Sequence, residues 1–237
     1  MKTARVNGRK LLKSINMKKL LLLLLSLPVL SFTARSQGNI PFWKEVQALK
    51  QKDSLSFPAP GQTLFIGSSS FTMWKDASDY FPKHKILNRA FGGSTLLDMI
   101  RFRYEVLFPY QPKQIVLYCG ENDFASSDTV TVAMVMERFK TFYTLMRAKY
   151  PKVPFLYVSM KPSPSRAHLM AKYKEANQQI EDFLKQDKKA AYADVYSKML
   201  KADGSPMDDI FLQDRLHMTA KGYAIWKKVL EPLLIKK

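Results

Sequence analysis

Leu64-Phe65-Ile66-Gly67-Ser68-Ser69-Ser70 is a short apolar run that ends in a glycine and three serines. A run of this length, closed by a turn signal, is typical of a buried strand. Four more short apolar or β-branched runs follow it along the chain, the last of them weak: residues 86–87, 115–118, 155–158 and 191–195. The sequence therefore contains five candidate strands, each separated from the next by a longer segment.

The segments between the later strands have helical period. Apolar side chains recur at spacings of three and four over residues 132–146, and the pattern returns over residues 169–183 and 219–230. Residues 198–213 have weak periodicity and are expected to form a loop. Because parallel neighbouring strands require crossover connections, we predict an α/β fold: a three-layer α/β/α flavodoxin-like sandwich with a central parallel sheet.

The first 36 residues differ from the rest of the chain in charge. They contain eight of the 38 Lys and Arg residues and no acidic residue, so without them the formal net charge of +18 falls to +10. The segment has the pattern of a secretory signal peptide. It contains lysines at positions 18 and 19, an apolar run over residues 20–30 and small residues at 34–36 that resemble a cleavage site. We therefore predict a signal peptide over residues 1–36, with Met17 as an alternative start, and one domain over residues 37–237.

This interpretation implies export to the periplasm or the extracellular space. The apolar run is shorter than the ~20 residues that a membrane-spanning helix needs. We therefore expect no stable membrane span after cleavage, with retention of the leader as an anchor left open as an alternative. The sequence does not specify an oligomeric state.

The remaining positive charge makes a nucleic acid or an anionic surface a candidate partner. No zinc-finger, RNP-like or helix-turn-helix pattern accompanies the charge. Many lysines lie on the polar sides of helical patterns or in charge runs, where solvated faces are the usual explanation: Lys44, Lys50, Lys52, Lys172, Lys174, Lys185, Lys188 and Lys189. We therefore expect no nucleic-acid partner, while attraction to anionic polysaccharide or lipid headgroups stays open.

Cysteine and histidine are scarce. The one cysteine, Cys119, ends an apolar run and is interpreted as a small buried side chain rather than a catalytic thiol. The three histidines, His84, His168 and His217, have none of the spacings typical of zinc ligands. We therefore predict no metal site.

Polar motifs follow the candidate strands. Ligands of a parallel sheet bind outside the carboxyl ends of its strands, so these motifs are expected to share one edge. Besides the three serines, they are Asn88-Arg89-Ala90-Phe91-Gly92-Gly93, Gly120-Glu121-Asn122-Asp123 and residues 161–165. Asp214-Arg215-Leu216-His217, directly before the last helical segment, adds a carboxylate and an imidazole. Each motif alone is weak, but their order and common placement indicate one site.

Four of these motifs, in this order, resemble the sequence blocks of the SGNH hydrolases, also called GDSL esterases and lipases. The resemblance implies that Ser69 is the nucleophile, His217 its general base and Asp214 the residue that orients the imidazole. Physical chemistry agrees with these roles. A serine hydroxyl is a poor nucleophile until a base removes its proton, and imidazole, with an ordinary pKa of ~6.5, suits that task at neutral pH.

The resemblance also implies an oxyanion hole. Its donors would be the backbone N–H groups of Ser69 and Gly93 and the side-chain amide of Asn122. A nucleophile at a strand-to-helix turn would further face the positive end of a helix. Ser68 stands where the family's Gly-Asp-Ser motif has Asp, and we expect retained activity with changed local hydrogen bonding.

The activity implied by the resemblance is hydrolysis of carboxylic esters through an acyl-enzyme, on small-molecule or carbohydrate substrates such as O-acetyl esters. This reaction is expected to need no organic cofactor. A lipid acylhydrolase of the lysophospholipase or thioesterase type is an alternative. A non-catalytic module on the same fold, binding a polyanion or a carbohydrate, is an alternative of another class. The lack of a long apolar lid segment favours short or soluble acyl substrates.

Overall fold

The computed structural model describes residues 40–236. The predicted signal peptide over residues 1–36, with its alternative start at Met17, lies outside the described residues and stays a prediction. Within the described part of the chain, no helix is long and apolar enough to cross a membrane.

One parallel sheet organises the described residues. Its strands are β1 (Thr63–Gly67), β2 (Ile86–Asn88), β3 (Gln114–Tyr118), β4 (Phe155–Val158) and β5 (Ala190–Ala193). They lie in the order β2-β1-β3-β4-β5, and every neighbouring pair is parallel. This is the strand order of flavodoxin-like sheets. All five predicted strands are present, within a few residues of their expected bounds.

Alternate side chains of the strands enter two separate cores. Leu64 and Ile66 of β1 belong to one hydrophobic cluster, whereas Phe65 belongs to the other. Strand β3 repeats this division, with Ile115 in the first cluster and Val116 in the second. Both faces of the sheet are therefore covered, which confirms the predicted three-layer α/β/α sandwich.

Helices cover the two faces unequally. The face that carries Leu64 packs against α1 (Trp43–Leu55), α4 (Leu96–Arg101), α5 (Arg103–Val106), α6 (Glu121–Ala125), α7 (Val132–Lys149) and α8 (Met170–Leu184). The face that carries Phe65 packs against α2 (Ser69–Thr72), α3 (Ala77–Tyr80) and α9 (Ala220–Leu230). The three predicted helices correspond to α7, α8 and α9. Helix α1 was not predicted, because Val46 is its one buried apolar residue and no apolar stripe marks it. The helices of four to six residues were not predicted either, because they are too short to show a period.

The segment predicted as a loop, residues 198–213, is mostly irregular. It begins within a short 3₁₀ helix (Ser197–Met199) and contains an antiparallel bridge between Leu200 and Pro206. A second bridge joins Phe211 to Met218 and closes the loop between them. That closed loop carries Asp214 and His217 to the edge where β1 and β3 end.

Candidate active site

Ser69, His217 and Asp214 form one continuous hydrogen-bonded chain. The Ser69 Oγ lies 3.0 Å from His217 Nε2, although 148 positions separate the two residues. On the other side of the imidazole, Nδ1 lies 2.6 Å from Asp214 Oδ2. The structure thus brings together the three residues that the sequence motifs predict as nucleophile, base and orienting carboxylate.

The hydrogen bonds of Asp214 assign the tautomer of the imidazole. Burial acts to raise the pKa of Asp214, but hydrogen bonds from the His217 side chain and from the N–H groups of Leu216 and His217 lower it to about 2. The carboxylate is therefore ionised at neutral pH and can only accept. Nδ1 of His217 must then carry the proton, which leaves Nε2 free to accept from Ser69 Oγ.

Backbone hydrogen bonds hold the loop that carries Asp214 and His217 at several points. Besides the Phe211–Met218 bridge, Leu212 N–H donates to the His217 carbonyl at 2.7 Å. Arg215 adopts a left-handed conformation with φ 56°, and its carbonyl accepts from Ser165 N–H at 3.1 Å. The imidazole is 22% exposed and the Asp214 side chain 47% exposed, so the predicted base lies at the protein surface, where a substrate can reach it.

Ser69 follows a tight turn that glycine makes possible. Gly67, the last residue of β1, has φ +126°, and a Cβ at this position would lie 1.9 Å from the Tyr118 carbonyl oxygen of β3. The Ser68 N–H donates to that same oxygen at 2.9 Å. Helix α2 then begins at Ser69 and is only four residues long. Its dipole is correspondingly small. The expected stabilisation of negative charge by a helix terminus therefore comes down to the nearby backbone N–H groups.

Two backbone N–H groups of the predicted oxyanion hole point to no acceptor within residues 40–236: those of Ser69 and Gly93. Gly93 is exposed and has φ +81°, and a Cβ there would lie 3.2 Å from the ring of Phe42. Both the conformation and the space at this position therefore favour glycine.

Asn122, the third predicted donor, lies at the start of α6. Its Nδ2 donates to Ser68 Oγ at 2.7 Å and to the Ser94 carbonyl at 3.0 Å. Ser68 thus supplies an acceptor at the position where the GDSL motif has Asp. The contact also places the Asn122 amide next to the residue that precedes Ser69.

Cys119 is not a candidate nucleophile. It is buried, its Sγ lies 3.6 Å from the Ser94 carbonyl, and burial raises the pKa of the thiol well above its ordinary value. Within residues 40–236, no group of three or more His, Cys, Asp or Glu side chains is arranged to hold a metal ion.

Comparison with known proteins identifies the family. The sequence matches the GDSL-like lipase/acylhydrolase family over residues 56–225, a segment that spans β1 and the loop of His217. The chain belongs to this family. It is accordingly an ester-bond hydrolase, and small-molecule esters are its class of substrate. A search of the curated proteins gives no match.

Solved structures with a similar fold include members of the same family. A GDSL-like lipase from Bacteroides thetaiotaomicron superposes with a TM-score of 0.67 at 20% identity, covering 79% of this chain and 96% of its own. A protein from Bacteroides fragilis, provisionally assigned as an acylhydrolase, gives 0.69 at 20% identity and covers 81% of this chain and 96% of its own. A variant of Axe2, an acetyl-xylooligosaccharide esterase from Geobacillus, gives 0.59 at 11% identity over 74% of this chain and 95% of its own. At these identities the likeness shows the fold alone.

This GDSL-family chain also has a buried charged cluster beside Asn122. Glu121 accepts from Lys161 Nζ at 3.1 Å on each carboxylate oxygen and from an Arg166 nitrogen at 3.3 Å, and the Tyr118 hydroxyl donates to it as well. Burial lowers the pKa of Lys161, against the opposing effect of the Glu121 charge. We name Glu121, Lys161 and Arg166 the buried cluster.

The sequence motifs did not single out the buried cluster. Glu121 lies in a motif from which only Asn122 was assigned a role, Lys161 lies in a polar segment without an assigned role, and Arg166 follows that segment directly. The available signal was the presence of full charges right after strands whose other residues are apolar. Charges at such positions are removed from water and need partners within the fold.

Proposed function

We propose that this chain is an exported serine esterase that hydrolyses carboxylic esters through an acyl-enzyme on Ser69. The observation that carries the proposal is the chain of hydrogen bonds from Ser69 Oγ through the imidazole of His217 to Asp214. Export rests on the predicted signal peptide over residues 1–36. Family membership supports the reaction class, and the geometry supports the roles of individual residues.

In the acylation step, Ser69 Oγ attacks the carbonyl carbon of the ester while His217 Nε2 takes the hydroxyl proton. The resulting imidazolium is stabilised by Asp214. When the tetrahedral intermediate collapses, the same proton passes from Nε2 to the leaving alcohol. Water then attacks the acyl-enzyme with His217 again acting as base, and the acid and free Ser69 are released.

The negative oxygen of the intermediate needs donors that are already in place. We assign this task to the N–H groups of Ser69 and Gly93, which have no acceptor within the described residues. Asn122 is the third donor. Of its two amide hydrogens, the one directed at Ser68 Oγ is adjacent to the nucleophile and is the one that we assign to the oxyanion.

Short acyl esters, including O-acetyl groups on carbohydrates, are the proposed substrates. Support comes from the Axe2 neighbour, an acetyl-xylooligosaccharide esterase with the same fold. The partial exposure of Ser69 and of His217 also fits an acyl group carried by a large, hydrated alcohol. Among ester substrates, acetylated sugars combine a two-carbon acyl group with such an alcohol.

The proposal is tested by hydrolysis of p-nitrophenyl esters of graded acyl length, acetylated xylooligosaccharides and a lysophospholipid. We expect the highest kcat/KM on acetyl esters, complete dependence on Ser69, and covalent labelling of Ser69 by a fluorophosphonate. Ser70→Ala is the matched control, because this neighbouring serine is only 1% exposed and is closed to substrate.

Two results would refute the proposal. Activity that survives in Ser69→Ala, or a fluorophosphonate adduct on Ser68 or Ser70, would exclude Ser69 as the nucleophile. A preference for the lysophospholipid over every acetyl ester would leave the mechanism intact but replace the substrate class with a lipid ester.

A further inference from the structure

Arg166 reaches the oxyanion hole from a segment with no predicted role. It lies in a 3₁₀ turn (Pro164–Leu169) that follows β4. One terminal nitrogen donates to Asn122 Oδ1 at 2.9 Å, and the other to Glu121 Oε2 at 3.3 Å. Its side chain is only 17% exposed, so the guanidinium is held inside the fold rather than free in solvent.

The partners of Asn122 fix the orientation of its amide. A guanidinium can only donate, so the atom facing Arg166 must be the amide oxygen. The Ser94 carbonyl can only accept, so the atom facing it at 3.0 Å must be the amide nitrogen. A flipped amide would place oxygen against oxygen at Ser94 and N–H against N–H at Arg166. Arg166 therefore blocks the orientation in which Asn122 presents oxygen toward Ser68.

We propose that Arg166 is a positioning residue of the oxyanion hole, which fixes and polarises the Asn122 amide. The proposal rests on the proposed role of Asn122 as an oxyanion donor. A positive charge that binds the amide oxygen withdraws electron density from the amide nitrogen, and hydrogen bonds linked in this way strengthen one another. The N–H groups of Asn122 thereby become better donors to a negatively charged oxygen.

The buried cluster keeps this charge in place. Glu121 is paired with Lys161 as well as with Arg166, so its single negative charge faces two positive ones. The cluster therefore has one net positive charge directly beside Asn122. Fixed charge in a site shielded from water stabilises a developing oxyanion without any rearrangement during the reaction.

The structure offers a matched control for Arg166. Arg138 is also 17% exposed and also pairs with a carboxylate of α6, donating to Asp123 at 2.9 Å. No hydrogen bond joins Arg138 to Asn122 within residues 40–236. Replacing either arginine by alanine removes a partly buried ion pair with α6, but only Arg166→Ala removes the donor to the Asn122 amide oxygen.

The experiment measures kcat and KM on p-nitrophenyl acetate for purified wild type, Arg166→Ala, Arg166→Lys, Arg138→Ala, Asn122→Ala and the double variant of residues 122 and 166. Loss of one oxyanion donor lowers kcat by about 100- to 1000-fold. For Arg166→Ala we expect part of this loss, about 10- to 100-fold, with KM changed less than about threefold. Millimolar guanidinium should restore kcat in this variant, and Arg166→Lys should be intermediate.

The double variant separates positioning from a general structural effect. If Arg166 acts through Asn122, its loss lowers kcat less than about threefold further once Asn122 is alanine. Arg138→Ala should keep kcat within about twofold of wild type and should not respond to guanidinium. Should Arg166→Ala fail to fold, Arg166→Lys carries the same comparison.

Three outcomes would overturn the inference: an unchanged kcat in the Arg166 variants, additive losses in the double variant, or an equal loss in Arg138→Ala. In each of these cases a large loss in Asn122→Ala would leave the proposed function standing. If Asn122→Ala keeps the kcat of wild type while Ser69→Ala loses activity, the inference fails and the proposed nucleophile stands. If Ser69→Ala keeps its activity, the proposed function itself fails.

Discussion

Gly67→Ala tests the close approach of two central strands just before Ser69, the proposed nucleophile. The new Cβ would lie 1.9 Å from the Tyr118 carbonyl oxygen and 2.7 Å from its carbonyl carbon, both backbone atoms of β3. Backbone atoms in paired central strands cannot move aside as the end of a flexible side chain can. Either β1 and β3 separate, or the turn into Ser68 and Ser69 changes its path.

The expected cost has two parts. A non-glycine residue at φ +126° costs on the order of 1–3 kcal/mol. Forcing an extra carbon into a close-packed region costs about 1–3 kcal/mol more. A total near 4 kcal/mol corresponds to a decrease in Tm of roughly 8–16 °C for a chain of this size. A shift of the nucleophile by ~1 Å would also lower kcat by about 100-fold.

Thermal unfolding monitored by circular dichroism, with kcat measured well below the Tm, tests both effects. The matched control is Gly61→Ala, because Gly61 has φ +77° but a Cβ at this position would have no heavy atom within 4 Å. Only the conformational cost of about 1 kcal/mol remains at Gly61, and it is partly offset by reduced freedom of the unfolded chain. We expect its Tm to fall by less than about 4 °C and its kcat to be unchanged.

Equal decreases in Tm for the two glycine variants would refute the reasoning, because the steric contact with β3 would then contribute nothing. A large decrease in Tm at Gly67 with kcat unchanged would refute only the second part. In that case the strands would separate without moving Ser69.

Further predictions concern the catalytic loop and the oxyanion hole. Because the pKa of Asp214 is about 2, its carboxylate stays charged above pH 4, so its own titration should cause no change in kcat/KM between pH 7 and pH 5, as initial rates across that range would show. Asp214→Asn should lower kcat by about 10,000-fold, whereas Asp208→Asn, at a side chain 63% exposed, should not. The folded-state pKa of Asp214 lies below its ordinary value of 3.8, so any stability that its ionisation contributes is present above pH 4 and lost as pH falls toward 2; thermal scans of wild type and Asp214→Asn should converge there. Gly93→Ala should lower kcat at least tenfold by crowding Phe42 and moving the N–H group, as initial rates would show.

The sheet could be predicted because its signal is local. Each strand is a largely apolar run of three to five residues whose alternate side chains enter the two cores. Each run is followed by polar residues or glycine, and these lie at the same edge of the sheet. Topology then brings Ser69 and Asn122 together, since β1 and β3 are neighbours in the sheet. For His217 the sequence offered only its place before the last helix, and the contact with Ser69 depends on how the closed loop folds back.

The buried cluster could not be predicted in the same way. Arg166 and Asn122 are 44 positions apart, and their contact depends on the path of the 3₁₀ turn after β4. Nothing in the spacing of charges distinguishes Arg166 from the many exposed Lys and Arg residues of a basic chain. Arg166 differs from those residues because its side chain is largely buried. Whether a charged side chain after a strand is buried depends on tertiary packing, which the local sequence does not show.

Ser68 and the buried cluster lie on opposite sides of the Asn122 amide, so a charge at either place acts on the same group. The GDSL motif has Asp at this position, whereas Ser68 accepts from Asn122 at 2.7 Å without bringing a negative charge. A carboxylate at residue 68 would offset the net positive charge of the cluster on the opposite side of the same amide. With serine, residue 68 adds no second carboxylate to that of Glu121, so the positive charge that Glu121 does not balance remains available to the proposed oxyanion. If Arg166 acts as proposed, the departure from the family motif keeps an acceptor for Asn122 and adds no negative charge beside the proposed oxyanion hole.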